Sequence, residues 1–268
     1  MTAAGKFLLN AFEQQWHTYL QQVKLCRHDC NSETIHDLRT CSRQLLATIQ
    51  LIQTLSPKRP IEKARKVIKT LLDSFDELRD TQVMLLEINQ HQIDIPELVP
   101  FYLYLTRKEA QLLLQSQVYL SQYRSYKLKQ KLKKTTLFCK RLCKNHNLAA
   151  EILMIIDEIY ATLLTRNQNV DITDLSTIHH LRLSVKKLRY LLSTLQPILP
   201  DSNKKSLEQI KSHLTLLGNI QNSAVLTNNL RQFYKQQMPE TIHTAFQKQQ
   251  QELLQTFIQQ QDIILNFW

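Results

Sequence analysis

Glycine is almost absent from this sequence. Only 2 of the 268 residues are glycine, whereas average usage would predict about nineteen. Sheet proteins use glycine in hairpins and bulges, and nucleotide-binding folds use it in the loops that hold phosphate. The shortage therefore argues against β-sandwiches, doubly wound α/β folds and P-loop enzymes.

Long apolar runs are absent as well. No stretch approaches the roughly 18 apolar residues that a membrane-spanning helix needs. The N-terminal residues lead into an amphipathic stretch without the apolar region and cleavage site of a signal peptide. The five cysteines are an odd number, which does not suit a disulfide framework. We therefore expect a protein without membrane segments that works in the reducing cytoplasm.

The residues that are abundant favour helices and positive charge. Leucine, glutamine, lysine, isoleucine and glutamate dominate the chain, and most of these residue types have high helix propensity. Apolar residues make up 43% of the sequence, which is enough for a folded core. Lysine and arginine total 34 against 23 acidic residues, so the formal net charge is +11. The composition predicts an all-α, basic protein.

The two halves of the chain share landmarks at a constant separation. A spacing of 143 residues relates Pro57 to Pro200, Pro96 to Pro239, and the segment Thr34–Arg39 to Thr177–Arg182. An internal duplication is the simplest explanation. We therefore predict one domain with a first repeat at about 5–125, a basic helical connector at 126–146 and a second repeat at about 147–268.

Hydrophobic periodicity predicts four helical stretches in each repeat. These stretches run roughly over 5–29, 32–55, 60–91 and 96–124, and then over 148–169, 174–196, 203–235 and 239–266. Four antiparallel helices joined by short loops form a bundle. The sequence therefore predicts two four-helix bundles related by an approximate two-fold axis.

A histidine followed by basic residues occurs once in each repeat. At about 100° per residue, most of these cations share one helix face. They are His36, Arg39 and Arg43 in the first repeat, and His179, Arg182, Lys186, Lys187 and Arg189 in the second. No acidic residue lies between Asp174 and Asp201, and uncompensated like charges destabilise a helix face. We therefore expect an anionic partner, for which arginine and histidine are suitable donors.

The connector carries a second basic face. Its cations recur at helical spacing, at Lys127, Lys131, Lys134 and Arg141. No acidic residue lies between Glu109 and Glu151. Contact with an anion and a simple solvated helix face both remain open for this segment, and we include the four residues among the candidate anion-binding positions.

The histidine motifs resemble those of the CHAD family, the conserved histidine α-helical domain. In that family a histidine, an arginine three residues later and a basic cluster lead into a helix, once per half. Residues 178–190 match this pattern closely, and residues 35–43 match its leading positions. Residues 78–80 and 217–222 resemble the family's second landmark in each half.

The resemblance implies both an architecture and a ligand. CHAD proteins consist of two four-helix bundles related by a pseudo-two-fold axis, with a positively charged central groove. They bind inorganic polyphosphate, can associate with polyphosphate granules and are not known as catalysts by themselves. Carried over to this chain, the cations of both motifs would line that groove between the halves. Gln44 and Leu46 stand where the family often has cations, so the resemblance implies weaker polyphosphate binding by the first half.

Three other functions remain as alternatives. A nucleic-acid or generic polyanion binder fits the charge, but aromatic residues are only 7% of the chain and no stacking platform accompanies the motifs. A metal-dependent phosphohydrolase needs several converging ligands, and Asp37 of the first motif is replaced by His180 in the second. A granule-coat scaffold is the third alternative. The sequence therefore predicts binding without catalysis or a cofactor.

Two cysteine pairs raise the question of a metal site. The members of each pair lie four residues apart, at Cys26 and Cys30 and at Cys139 and Cys143. Four thiolates from two helices would suit zinc, but zinc sites usually use closer spacing. We therefore predict a packing role and no metal.

Overall fold

The computed structural model describes residues 2–123, 125–196 and 202–268, with the backbone alone at 125, 202–205 and 236. The regular elements of these residues are all helical, which confirms the predicted all-α class. The helices are α1 (Ala3–His28), α2 (Ser32–Leu55), α3 (Arg59–Asp73), α4 (Asp76–His91), α5 (Val99–Gln122), α6 (Ser125–Leu142), α7 (Leu148–Gln168), α8 (Leu175–Leu195), α9 (Ser202–Tyr234) and α10 (Glu240–Gln260). None of these described helices combines the length and the apolar composition that a bilayer crossing requires.

Capping side chains and prolines explain several helix ends. The Asn31 side chain accepts a hydrogen bond from the Thr34 N–H at 2.9 Å, and Thr34 Oγ1 accepts one from the Asn31 N–H at 3.1 Å. This capping box satisfies N–H groups that the start of α2 would otherwise leave without partners. Pro60 lies in the first turn of α3, where its missing N–H has no cost. Pro200, at which the sequence also predicts a helix break, lies outside the described residues.

The helix predicted over 60–91 is divided into α3 and α4. Ser74 and Phe75 separate the two helices. The Ser74 hydroxyl donates to the Leu71 carbonyl oxygen at 2.7 Å, and the Phe75 ring is fully buried. The hydroxyl thus satisfies one carbonyl of the last turn of α3, while the ring anchors the turn in the core. The corresponding stretch of the second half forms the continuous helix α9 over its described residues.

The chain forms two compact units, and each consists of separate segments. Unit 1 comprises Met1–Asp76, Leu113–Ala161 and Lys187–Lys204, and unit 2 comprises Glu77–Leu112, Thr162–Lys186 and Lys205–Trp268. Both units combine segments from the two halves of the sequence, so these units and the predicted repeats are different divisions. The internal duplication and the symmetry that it implies stay predictions.

Four helices of unit 1 form a closed ring of contacts. α1 packs on α2, α2 on α3, α3 on α6, and α6 on α1. Their buried positions recur every three or four residues, as in amphipathic helices. The fully buried side chains include Leu8, Phe12 and Tyr19 of α1, Leu38 and Leu45 of α2, Ile61 and Ile68 of α3, and Leu128 and Leu132 of α6. Each buried leucine, isoleucine or phenylalanine contributes about 1.5–3 kcal/mol by leaving water, so the basic helix α6 is a structural part of this unit.

Gly5 lies where α1 meets the residue that follows α6. A Cβ atom on Gly5 would lie 2.5 Å from the Cα atom of Cys143, which is closer than packed atoms tolerate. The Thr2 N–H donates to the Cys143 carbonyl oxygen at 2.9 Å, and Cys143 Sγ donates to the Gly5 carbonyl oxygen at 2.8 Å. One of the two glycines of the chain therefore allows a close backbone approach.

The core of unit 2 lies among α4, α5, α9 and α10. Its buried cluster includes Met84 and Ile88 of α4, Phe101 and Leu105 of α5, Leu226 and Leu230 of α9, and Ile242 and Phe246 of α10. A hydrogen bond of 2.5 Å from the Tyr234 hydroxyl to the Glu97 carbonyl oxygen connects the end of α9 to the turn before α5. These contacts support α9, against which His179 and Arg182 of the second basic motif lie.

Candidate anion-binding site

The first basic motif lies on α2 in unit 1, and its three members have different surroundings. His36 is exposed and Arg43 is half-buried. Arg39 is only 4% exposed. Its Nη1 atom donates to the Leu72 carbonyl oxygen at 3.1 Å and lies 2.9 Å from Asp76 Oδ1. The Asp76 carboxylate offsets the charge of Arg39, so His36 and Arg43 are the more accessible members of the motif.

The second motif begins at His179 on α8, in unit 2. Asp174 Oδ1 accepts a hydrogen bond from the Ser176 N–H at 2.9 Å and satisfies a donor of the first turn. One turn later, His179 Nδ1 lies 2.8 Å from Gln221 Oε1 on α9. Because an amide oxygen only accepts, Nδ1 carries a hydrogen, and protonation of the ring makes Nε2 a second donor. The contact therefore fixes the orientation of the imidazole relative to α9.

Arg182 lies against α9 one turn away from that contact. A Cβ atom on Gly218 would lie 3.5 Å from Arg182 Nη2 and 3.8 Å from Arg182 Nε. These are ordinary van der Waals distances, so the guanidinium rests on the α9 surface at Gly218. His179 and Arg182 are both half-buried. The structure thus brings the first two members of the second motif together along one helix pair.

The remaining cations of the second motif follow along α8. Lys186 is half-buried in unit 2, while Lys187 is exposed and Arg189 is half-buried in unit 1. The Arg189 guanidinium lies 5.6 Å from the centroid of the Tyr190 ring, within range of a cation–π contact. α8 contains no aspartate or glutamate. Its positive charge is therefore not offset by acidic residues of the same helix.

Arg166 is a cation of unit 2 that the motif does not include. It lies on α7, and its Nη1 atom donates to Ser184 Oγ at 2.6 Å and to the His180 carbonyl oxygen at 3.0 Å. The guanidinium adds positive charge beside α8. Nothing local in the sequence indicates this contact, because Arg166 precedes the motif on a different helix.

On α6, three of the four predicted cations share a groove within unit 1. Lys127, Lys131 and Lys134 line this groove, which has a volume of about 440 Å³. The other lining residues are Arg59, Pro60, Lys63 and Gln130. Arg141 is not among them, and its guanidinium lies 5.7 Å from the centroid of the Phe138 ring. Arg59 and Lys63 could not be predicted from the sequence, because they belong to another helix and to no recognised motif.

The cysteine side chains make packing contacts and hydrogen bonds. Burial raises the pKa of the Cys139 thiol to about 12. A hydrogen bond with Cys30 and burial raise the pKa of Cys26 far above its ordinary value. Metal ions bind the thiolate form, which the surroundings of Cys139 and Cys26 disfavour, whereas the hydrogen bond with Cys26 lowers the pKa of Cys30. Within the part of the chain that the structure describes, no group of three or more His, Cys, Asp or Glu side chains is arranged to hold a metal ion.

Comparison with known proteins identifies the family. The family model of the CHAD domain matches residues 10–231. The structure is similar to the crystal structure of the CHAD domain from the plant Ricinus communis, with a TM-score of 0.75 and 19% sequence identity over 98% of this chain and 90% of that chain. At this identity the likeness shows a shared fold. The search of curated proteins found no match to the sequence. Because the family model covers most of the sequence, the chain belongs to the CHAD family.

Proposed function

We propose that this protein binds inorganic polyphosphate and does not catalyse a reaction on it. The observation that carries this proposal is the surface of α8, where His179 and Arg182 lie side by side against α9. Lys186 follows on a helix that contains no acidic residue. The resemblance of the motifs to those of CHAD proteins supports the same class of ligand.

The chemistry of these side chains suits a chain of phosphates. An arginine fork donates two parallel hydrogen bonds to phosphate oxygens, and a protonated histidine adds a further donor. Polyphosphate has no bases to recognise, so it needs no aromatic stacking platform of the kind that single-stranded nucleic acids use. A polyanion ligand therefore fits the α8 surface without any further element.

The absence of catalysis is part of the proposal. Many enzymes that transfer or hydrolyse phosphate groups use carboxylate-bound metal ions to offset the developing charge. Asp37 is the one carboxylate within the two histidine motifs, and α8 has none. We expect the length of polyphosphate to stay constant during incubation with the protein and Mg²⁺ or Mn²⁺. Shortening of the polymer would contradict this part of the proposal.

We further propose that the protein acts in the cytoplasm at polyphosphate granules. The positive charge of the chain, +11, would favour its accumulation on such a polyanion surface. A fluorescently tagged chain should concentrate at granules and become diffuse when the cell contains no polyphosphate. A granule pattern that persists without polyphosphate would identify a different anchor.

The test of the binding site compares two substitutions that each remove one positive charge. Arg182→Gln removes the guanidinium that rests on α9, and we expect about tenfold weaker binding of long-chain polyphosphate, since a lost charged hydrogen bond costs about 1.5 kcal/mol or more. Lys248→Gln removes one exposed charge from α10 of the same unit and should change the Kd less than about twofold. Isothermal titration at fixed salt measures both. Equal losses would assign binding to net charge and contradict a site on α8.

A further inference from the structure

A second group of cations lies in unit 1, in the groove between α3 and α6. The side chains that line the groove are Arg59, Pro60 and Lys63 of α3, and Lys127, Gln130, Lys131 and Lys134 of α6. These lining residues include no carboxylate and no aromatic ring. Five formal positive charges therefore border one concave volume of about 440 Å³.

The five cations form two rows. Arg59 and Lys63 lie one turn apart on α3, and the lysines from Lys127 to Lys134 extend over about 10 Å of α6 at 1.5 Å per residue. α3 packs directly on α6, so both rows border the same groove. Like charges four residues apart destabilise a helix. Neighbouring rows add to that repulsion, and a bound anion would remove it.

The carboxylates of α3 are paired with other lysines. Glu62 Oε1 lies 2.8 Å from Lys66 Nζ, and Asp73 Oδ2 lies 2.6 Å from Lys69 Nζ. α6 contains no acidic residue. Glu62 also interacts electrostatically with Arg59, but no carboxylate is among the side chains that line the groove.

The start of α3 adds a partial positive charge to the same groove. Lys58, the residue before α3, makes no capping hydrogen bond with its side chain. Because Arg59 and Pro60 line the groove, the N-terminal end of the helix opens onto it. The helix dipole places a partial positive charge at this end. Glu62 in the first turn offsets part of it, and the Ile61 and Glu62 N–H groups already donate to the Lys58 carbonyl oxygen. The five cationic side chains are therefore the main source of positive charge in the groove.

We infer that the groove between α3 and α6 binds a short oligophosphate, either free or as a segment of a longer polymer. This inference rests on the proposed function, because the ligand belongs to the same class of anion. It assigns Arg59 and Lys63 as binding residues beside Lys127, Lys131 and Lys134. A linear oligophosphate carries negative charges at short intervals, so two rows of cations can contact it together along the groove.

The experiment uses inorganic tripolyphosphate as the probe and the full chain as the protein. The double substitution Arg59→Gln with Lys63→Gln should weaken tripolyphosphate binding about tenfold. This fold-change corresponds to a loss of about 0.5–1 kcal/mol of binding free energy for each exposed charge that is removed. The matched control is Lys24→Gln with Lys140→Gln, which removes two exposed charges elsewhere in unit 1. We expect the control to bind within about twofold of the unsubstituted protein. Thermal unfolding of all three proteins verifies that the exposed substitutions leave the fold intact.

A parallel titration with long-chain polyphosphate distinguishes this inference from the proposed function. Arg182→Gln should weaken long-chain binding, whereas Lys248→Gln, at an exposed position on α10, should leave the affinity for both probes within about twofold. The inference would be overturned if the groove variant kept its tripolyphosphate affinity, or if both double variants lost affinity equally. Neither result would contradict the site on α8. Absent tripolyphosphate binding to the unsubstituted protein would also overturn it. Tripolyphosphate binding that depends on the groove, together with absent long-chain binding, would contradict the proposed function and support the groove.

Discussion

The guanidinium of Arg39 lies 2.9 Å from the Asp76 carboxylate and donates to the Leu72 carbonyl oxygen at 3.1 Å. These contacts connect α2 to the end of α3 and to the first residue of α4 within unit 1. The Arg39 side chain is almost completely buried, whereas half of the Asp76 side chain is exposed. A cation of the first histidine motif therefore stabilises the fold.

Substitution of Arg39 should affect stability more than ligand binding. Arg39→Ala removes buried hydrogen bonds and packing, so we expect the free energy of unfolding to fall by about 2–3 kcal/mol. Asp76→Asn should cost about 1 kcal/mol or less, because the carboxylate is partly solvated. Urea denaturation measures both losses. At a temperature where every variant is folded, Arg182→Ala should weaken polyphosphate binding more than Arg39→Ala, and the reverse order would contradict the assignment.

The two glycines should respond in opposite ways to alanine. Gly5→Ala places a Cβ atom 2.5 Å from the Cys143 backbone, and we expect a loss of about 1–3 kcal/mol from the forced separation of the chains. Gly218→Ala in α9 meets Arg182 only at ordinary contact distance and should gain up to about 1 kcal/mol of helix propensity. Thermal unfolding measures both changes. Similar losses at both positions would contradict the close approach at Gly5.

His213 should make the protein less stable in mild acid. Its buried ring lies 6.0 Å from the Phe257 ring and 5.7 Å from the Phe267 ring, and burial lowers its pKa from 6.5 to about 4. The unfolded chain binds the proton more tightly, so stability is complete above about pH 6.5 and decreases as the pH falls toward 4. The expected loss reaches about 3 kcal/mol.

Chemical denaturation between pH 7 and 4 tests this expectation. His213→Leu places an apolar side chain of similar size in the core and removes the titrating group. The decline in stability over this pH range should therefore become shallower in the variant. An identical decline in both proteins would show that other groups cause the acid sensitivity.

Several helix ends could be predicted because they depend on local chemistry. Proline has no N–H and restricts the residue before it, and α2 ends two residues before Pro57 while α10 begins directly after Pro239. The break at Ser74 and Phe75 could not be predicted in this way. Both residue types are compatible with a helix, and the turn depends on burial of the Phe75 ring in the folded chain.

The partners of the candidate cations were harder to predict than their positions. Periodicity indicates which face of a helix is buried but does not indicate which other helix covers it. The motif therefore identified Arg39 but not its contact with Asp76. Likewise, Arg59 and Lys63 join the lysines of α6 only because α3 packs on α6.

Specific recognition of polyphosphate is tested most directly by a salt-series titration. Long-chain polyphosphate and duplex DNA of equal total charge are titrated into the purified protein at increasing salt concentration. Displacement of counterions weakens the binding of any polyanion as salt rises, but the directional hydrogen bonds of arginine and histidine add binding energy beyond counterion release. We predict that polyphosphate binds more tightly than DNA and that its affinity falls less steeply with salt. Equal and equally steep salt dependence for both polymers, or no binding of polyphosphate, would contradict the proposed function.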